Sequence, residues 1–109
     1  MYNGDRKVSK KDLIIAKEYL LWLKKNGVRF NKGYIFGSRA KGTARKDSDL
    51  DICIVSDDFG KDLHDQRVEL MNLSMKISDI IEPHPMTTVD FNDKYNTLAY
   101  EVKKWGVVV

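Results

Sequence analysis

Between Ser9 and Gly27, Leu13, Ala16, Leu20 and Leu23 recur near a period of 3.6, and Ile14, Ile15, Tyr19, Leu21 and Trp22 widen the stripe. The pattern predicts an amphipathic helix lying on a sheet face, with Tyr19 and Trp22 in the core. Ser9 to Asp12 reads as a capping-box-like start, with Asp12 where Glu or Gln is usual, and Gly27 is a natural stop. Residues 28–30 and 33–36 turn extended in character; the second run is the first strand, its Tyr34 and Phe36 facing the core. A polar, glycine-bearing stretch follows. Residues 50–55 then alternate Asp51 and Cys53 against Ile52 and Ile54, a second strand that stops at Ser56, Asp57, Asp58 and Gly60.

Helical spacing returns over residues 61–78, where Leu63, Val68, Leu70, Met71, Leu73, Met75 and Ile77 form an apolar stripe and Met71 and Met75 are expected to pack inside. Residues 79–82 read as a third, short strand, ended by Pro83 because proline has no N–H to give to a ladder. A last helix is predicted from Phe91, capped by Asp93, through Tyr95, Leu98, Tyr100, Val102 and Trp105 to Gly106. The apolar residues 107–109 suit an extra edge strand or an interface, which leaves a homo-oligomer open. The sum is an α/β fold: a small mixed sheet of about three to five strands flanked by helices.

Composition narrows the class. The 109 residues are 42% hydrophobic and 32% charged, the profile of a globular protein in one domain, ordered except at its N-terminus. No run reaches the ~18 apolar residues a membrane span needs, and Met1 to Lys11 lack a signal-peptide core, so the cytoplasm is the expected compartment and no membrane partner is expected. Cys53 has no second cysteine to pair with. The net charge of +3 hides a division: residues 1–46 carry 13 Lys and Arg against 3 Asp and Glu, whereas residues 47–109 carry 6 against 13. A basic half favours a polyanion such as a nucleoside triphosphate, and an acidic half favours the cations that accompany it.

The division falls inside the segment with the most chemistry. Gly37, Ser38 and Gly42 occupy the loop after the first strand, where backbone N–H groups and the Ser38 hydroxyl can converge on phosphate oxygens. Asp49 and Asp51 stand two apart on the next strand, so both leave the same face, about 7 Å apart, and suit a hard divalent cation. Gly37 and Gly42 have Walker A spacing, but Thr43 stands where the lysine is required, which excludes that motif.

From Gly37 onward the chain resembles the nucleotidyltransferase superfamily of DNA polymerase beta, whose signature is Gly-Ser, a spacer, then Asp-x-Asp on the following strand. Within it, Gly37-Ser38-Arg39-Ala40-Lys41-Gly42 and Ser48-Asp49-Leu50-Asp51 are similar to the minimal nucleotidyltransferases, small domains often encoded beside a HEPN-domain protein. The resemblance implies a polymerase beta-like palm. It implies triphosphate contacts from Gly37, Ser38, Arg39, Gly42 and Ser48, with Ser48 also turning the chain ahead of Asp49. It implies two Mg²⁺ ions on Asp49, Asp51 and a third carboxylate, either Asp79 or Glu82. Glu82 is preferred: an inward Ile81 puts it on the opposite face, and some small members carry a similar Glu-Pro-His-Pro run. His84 is expected as an exposed loop residue.

The implied reaction is transfer of a nucleoside monophosphate, AMP from ATP, to a hydroxyl acceptor, a tyrosine of a HEPN toxin for which this chain is the antitoxin. The alternative is a non-catalytic subunit that binds nucleotide or partner through a degenerate site. Nucleic acid is disfavoured, since Tyr34 and Phe36 look like core residues.

Overall fold

The computed structural model describes residues 8–60 and 62–109. The expected loose N-terminus falls on residues 1–7, and the predicted start of the second helix falls on Lys61; both lie outside the described residues.

Helix α1 spans Lys10–Lys25, and the Ser9 hydroxyl accepts from the Asp12 N–H at 3.1 Å, as an N-cap should. Its end is a Schellman turn. Gly27 takes φ +82°, its N–H donates to the Lys24 carbonyl, and the Val28 N–H donates to the Leu23 carbonyl. Val28 and Leu23 are buried in the same cluster, so the turn also directs the chain back onto the core.

Four strands follow in the order β3-β2-β1-β4: β1 Lys32–Phe36, β2 Leu50–Ser56, β3 Ile81–Thr87 and β4 Val107–Val108. β2 runs antiparallel to β1 and parallel to β3, with α3 (Leu63–Ser74) as the crossover, and β4 lies antiparallel on the other side of β1. Side-chain alternation divides the core into two layers. Ile35, Leu50, Ile52, Ile54 and Ile81 pack with Ala16, Tyr19, Leu20, Leu23 and Leu70 of α1 and α3. Tyr34, Phe36, Cys53, Val55 and Met86 face Ala99 and Val102 of α5 (Thr97–Trp105) and, through Phe91, the one-turn helix α4 (Thr88–Phe91). The hydrophobic tail is thus an edge strand. Cys53 lies fully buried in the second layer, where desolvation pushes its thiol up to about 12 and keeps it unreactive.

Several predicted elements shift. α3 stops at Ser74, so Met75 becomes its C-cap and is 67% exposed instead of packed. Ile14 and Leu21 face outward, Trp22 is only half-buried, and the helix stripe is therefore narrower than its apolar content suggests. The last helix starts at Thr97, because the Asn96 side chain caps it through the Ala99 N–H; Asp93 instead closes a turn on the Tyr95 N–H, leaving Tyr95 outside the helix and exposed.

The largest difference is β3. It runs straight through Pro83 and Pro85, paired with β2 from Leu50↔Ile81 to Ser56↔Thr87. The Ile80 carbonyl accepts from Leu50, so even-numbered residues of this segment turn their backbone groups toward β2 and odd-numbered ones turn theirs away. The missing amides of Pro83 and Pro85 therefore fall on the outer edge, where they cost no ladder bond.

α1 and α3 are tied by one buried polar contact, the Tyr19 hydroxyl donating to the Leu70 carbonyl at 2.8 Å. Burial holds that hydroxyl well above the ordinary phenol range, so it remains a donor. Tyr19→Phe is expected to lower unfolding free energy by about 1 kcal/mol, read from denaturant midpoints at unchanged slope.

Candidate active site

The candidate site forms where the C-terminal end of β1 meets the N-terminal ends of β2 and β3. Gly37 leaves β1 with φ +77° and caps α2 (Ser38–Lys41), its carbonyl accepting from Ala40 and Lys41. Helix geometry leaves the first N–H groups of that turn without intrahelical acceptors. A Cβ at position 37 would run into the Asp51 carboxylate, so only glycine fits beside it. Gly42 ends α2 in the left-handed conformation, φ +80°.

Asp51 opposes Phe36 on one side and Glu82 on the other. All three lie on the α5 side of the sheet, opposite Leu50 and Ile81. Because β3 continues past Pro83, His84 lies on that side too, half-buried. Its Nε2 is 3.2 Å from Asp51 Oδ1 and 3.4 Å from Glu82 Oε1, and its ring stands edge-on to Phe36 at 5.0 Å. Donor atoms of Asp51, Glu82 and His84 lie within 4.8 Å of one another. Arg67 of α3 reaches round the edge strand to 3.9 Å from Glu82 Oε2.

These contacts perturb Glu82. A side-chain hydrogen bond with Asp51 raises its pKa, desolvation adds to the rise, His84 opposes it, and the charges of Asp51 and Asp49 reinforce it. Two carboxylates held together beside an imidazole suit a divalent cation, whose charge would offset the repulsion between them. The donor set fits such an ion.

The other sequence candidates take different places. Asp49 is exposed, just before β2, and stands outside the cluster while still acting on Glu82 through its charge. Asp79 is exposed in the turn before β3. Arg39 points its guanidinium at Asp12, 3.2 Å away, and at the Ser48 carbonyl, 2.6 Å from NH2 and 3.0 Å from Nε. Asp12 thus spends its carboxylate on Arg39 rather than on a capping box, and the pair joins α1, α2 and the segment entering β2. Ser48 also braces that segment, its hydroxyl accepting from the Arg45 N–H at 2.8 Å. His84 was legible only as a loop residue, since Pro83 looked like a terminator; the alternation of Glu82, His84 and Met86 against the prolines was the available signal.

A family model described as polymerase beta, nucleotidyltransferase matches residues 21–109. The chain belongs to that nucleotidyltransferase family. No curated relative matches it in sequence. Among solved structures, this nucleotidyltransferase is similar to a candidate nucleotidyltransferase from Sulfolobus solfataricus, with 22% identity, TM-score 0.65, and coverage of 90% of this chain and 78% of that one. It is also similar to the toxin–antitoxin MntA-HpeT, in a variant with two Asp-to-Glu changes, at 19% identity and TM-score 0.62, covering 84% and 69% of the two chains. A toxin–antitoxin solved with AMP-PNP gives 22% identity, TM-score 0.62 and the same coverages. At these identities the likeness is one of fold.

Two measurements check the electrostatics. A carboxyl whose pKa is raised by folding binds its proton more tightly in the native state, so without cations stability falls as pH rises through the interval above the ordinary glutamate value. Thermal melts from pH 4 to 7 are expected to show that loss, flattened in Glu82→Gln and reversed by millimolar Mn²⁺ or Mg²⁺ in the parent protein only. Asp12→Ala, which leaves the Arg39 guanidinium without its carboxylate in a site where its side chain is only 17% exposed, is expected to cost about 3 kcal/mol in urea unfolding.

Proposed function

We propose that this nucleotidyltransferase moves AMP from ATP onto a tyrosine hydroxyl of a HEPN-type toxin partner and thereby acts as an antitoxin. The observation that carries the reading is the junction of Gly37 with Asp51, which sets a glycine-led turn directly against the Asp51–Glu82–His84 cluster. Support for the biological setting comes from the likeness in fold to two toxin–antitoxin structures, one of them with AMP-PNP.

In this reading Gly37, Ser38 and Gly42 bind the β- and γ-phosphates, while Arg39 and Ser48 hold that loop against α1 and the entry to β2. Asp49, Asp51 and Glu82 would hold two Mg²⁺ ions, which when bound would supply charge neutralisation at the α-phosphate and at the leaving group. Glu82 takes the proton of the acceptor hydroxyl. The acceptor oxygen bonds to the α-phosphorus as the bridging P–O bond breaks, and pyrophosphate departs with the bonding pair. His84, wedged between the two carboxylates and against Phe36, fixes their spacing. The protein is read as a single soluble domain of the cytoplasm; no described helix is long and apolar enough to cross a membrane.

The test is incubation of the chain with α-labelled ATP, Mg²⁺ and the protein that co-purifies with it. Label is expected on a tyrosine of that partner, and Asp51→Asn is expected to reduce it by about 100-fold or more. No label on any partner sinks the transferase reading. Neutralisation of the partner by Asp51→Asn at full strength establishes the non-catalytic subunit in its place.

A further inference from the structure

α1 and α3 lie side by side on one face of the sheet, packed into the same core cluster and tied by Tyr19 and Leu70. Each turns aliphatic side chains to solvent seven residues apart: Ile14 and Leu21 on α1, Val68 and Met75 on α3 and its C-cap. These four are between 46% and 67% exposed, and a stripe repeated on two neighbouring helices exceeds the scattered apolar exposure of an ordinary surface. Beside Leu21 the stripe borders a recess of about 260 Å³ lined by Lys17, Leu20, Lys24, Phe30 and Val109, which gives a protruding side chain a hole to enter.

Charge divides this face in two. α1 exposes Lys10, Lys11, Lys17, Lys24 and Lys25 against Glu18, since its other acid, Asp12, is buried on Arg39. α3 and its N-cap expose Asp62, Asp65 and Glu69 against Arg67, which turns away toward Glu82. Because α1 packs on the layer opposite Asp51 and Glu82, its lysines stand across the sheet from a triphosphate bound at Gly37. They therefore call for another counterpart.

We propose that the outer face of α1 and α3 is an interface between two copies of this chain, with α1 of each copy seated on α3 of the other. A two-fold axis running along the helices produces that pairing, setting lysines on carboxylates twice and aliphatic stripe on aliphatic stripe. An axis running across them stacks α1 on α1 and opposes five lysines to five. A nucleic acid or an anionic membrane would meet the lysines of α1 but also the carboxylates of α3 beside them. At 1.5 Å per residue the helices are about 24 and 18 Å long, a face at the lower end of stable interfaces, so the dimer forms and separates with concentration. Both carboxylate clusters lie on the outer sides of such a dimer and stay open. The proposal is independent of the transfer reading, and its test uses no nucleotide.

Sedimentation velocity of the full chain over a concentration series is expected to show a monomer–dimer equilibrium that weakens as salt rises. Leu21→Glu, at a solvent-facing position, is expected to raise the dimer dissociation constant by about tenfold or more. Two charge-reversed chains, Lys17→Glu with Lys25→Glu and Asp65→Lys with Glu69→Lys, are each expected to be monomeric with an unchanged far-ultraviolet dichroism spectrum. Mixed in equal amounts they are expected to associate as the parent does, because each reversed helix then meets its opposite. A parent chain that is monomeric at every concentration, a Leu21→Glu dimer as tight as the parent's, or a mixture that does not associate overturns the proposal. Tighter self-association of the Lys17→Glu, Lys25→Glu chain sets α1 on α1 and overturns it too. So does a monomer that floats with phosphatidylserine vesicles, which assigns the face to a membrane.

Discussion

The contact between Gly37 and the Asp51 carboxylate constrains more of this molecule than any other. The chain leaves β1 there with a positive φ, which only glycine accepts without strain, and a Cβ at that position would meet the Asp51 carboxylate that the antiparallel register of β2 sets opposite Phe36. Once β2 is set, β3 is placed by its parallel pairing and brings Glu82 level with Asp51. The Asp12–Arg39 pair then fixes the turn from behind, because the guanidinium spans from α1 to the Ser48 carbonyl. A misplaced α1 would therefore be felt at the carboxylates, although none of its residues reaches them.

Burial pattern explains what was readable from the residues alone. The alternation of Asp51 and Cys53 against Ile52 and Ile54 marked β2 and its two faces, and the Gly37-Ser38 to Asp49-x-Asp51 signature named the family before any geometry was available. Ser9 and Gly27 bounded α1 closely because caps are local chemistry. The third strand was not readable in the same way. Proline's effect on a ladder depends on which edge its nitrogen faces, a property of the neighbouring strand and not of the proline. Reading Pro83 as a stop shortened β3 and left His84 in a loop.

Other misreadings share a cause. Met75 was counted into the apolar stripe of the second helix, and Tyr95 and Tyr100 were placed on the last one, yet all three are exposed, because helix ends and rotation are set by the packing of Leu70, Ala99 and Val102. Asp49 and Asp51 share a side of the chain, but only Asp51 is inside the ladder and held in place by both neighbours. Position in the strand, rather than parity alone, decides which carboxylate is fixed and which remains free to move toward a ligand.

The prolines of β3 also blunt one edge of the sheet. Along the outer side of that strand, two of the backbone positions that a new strand would need as donors are absent, so the edge beside the acidic cluster is a poor template for further pairing. β4, at the opposite end of the strand order, is only two residues long. Missing donors guard one margin and brevity the other, so the sheet is protected against edge-to-edge association without a charged residue on either outer ladder position of Pro83 and Pro85.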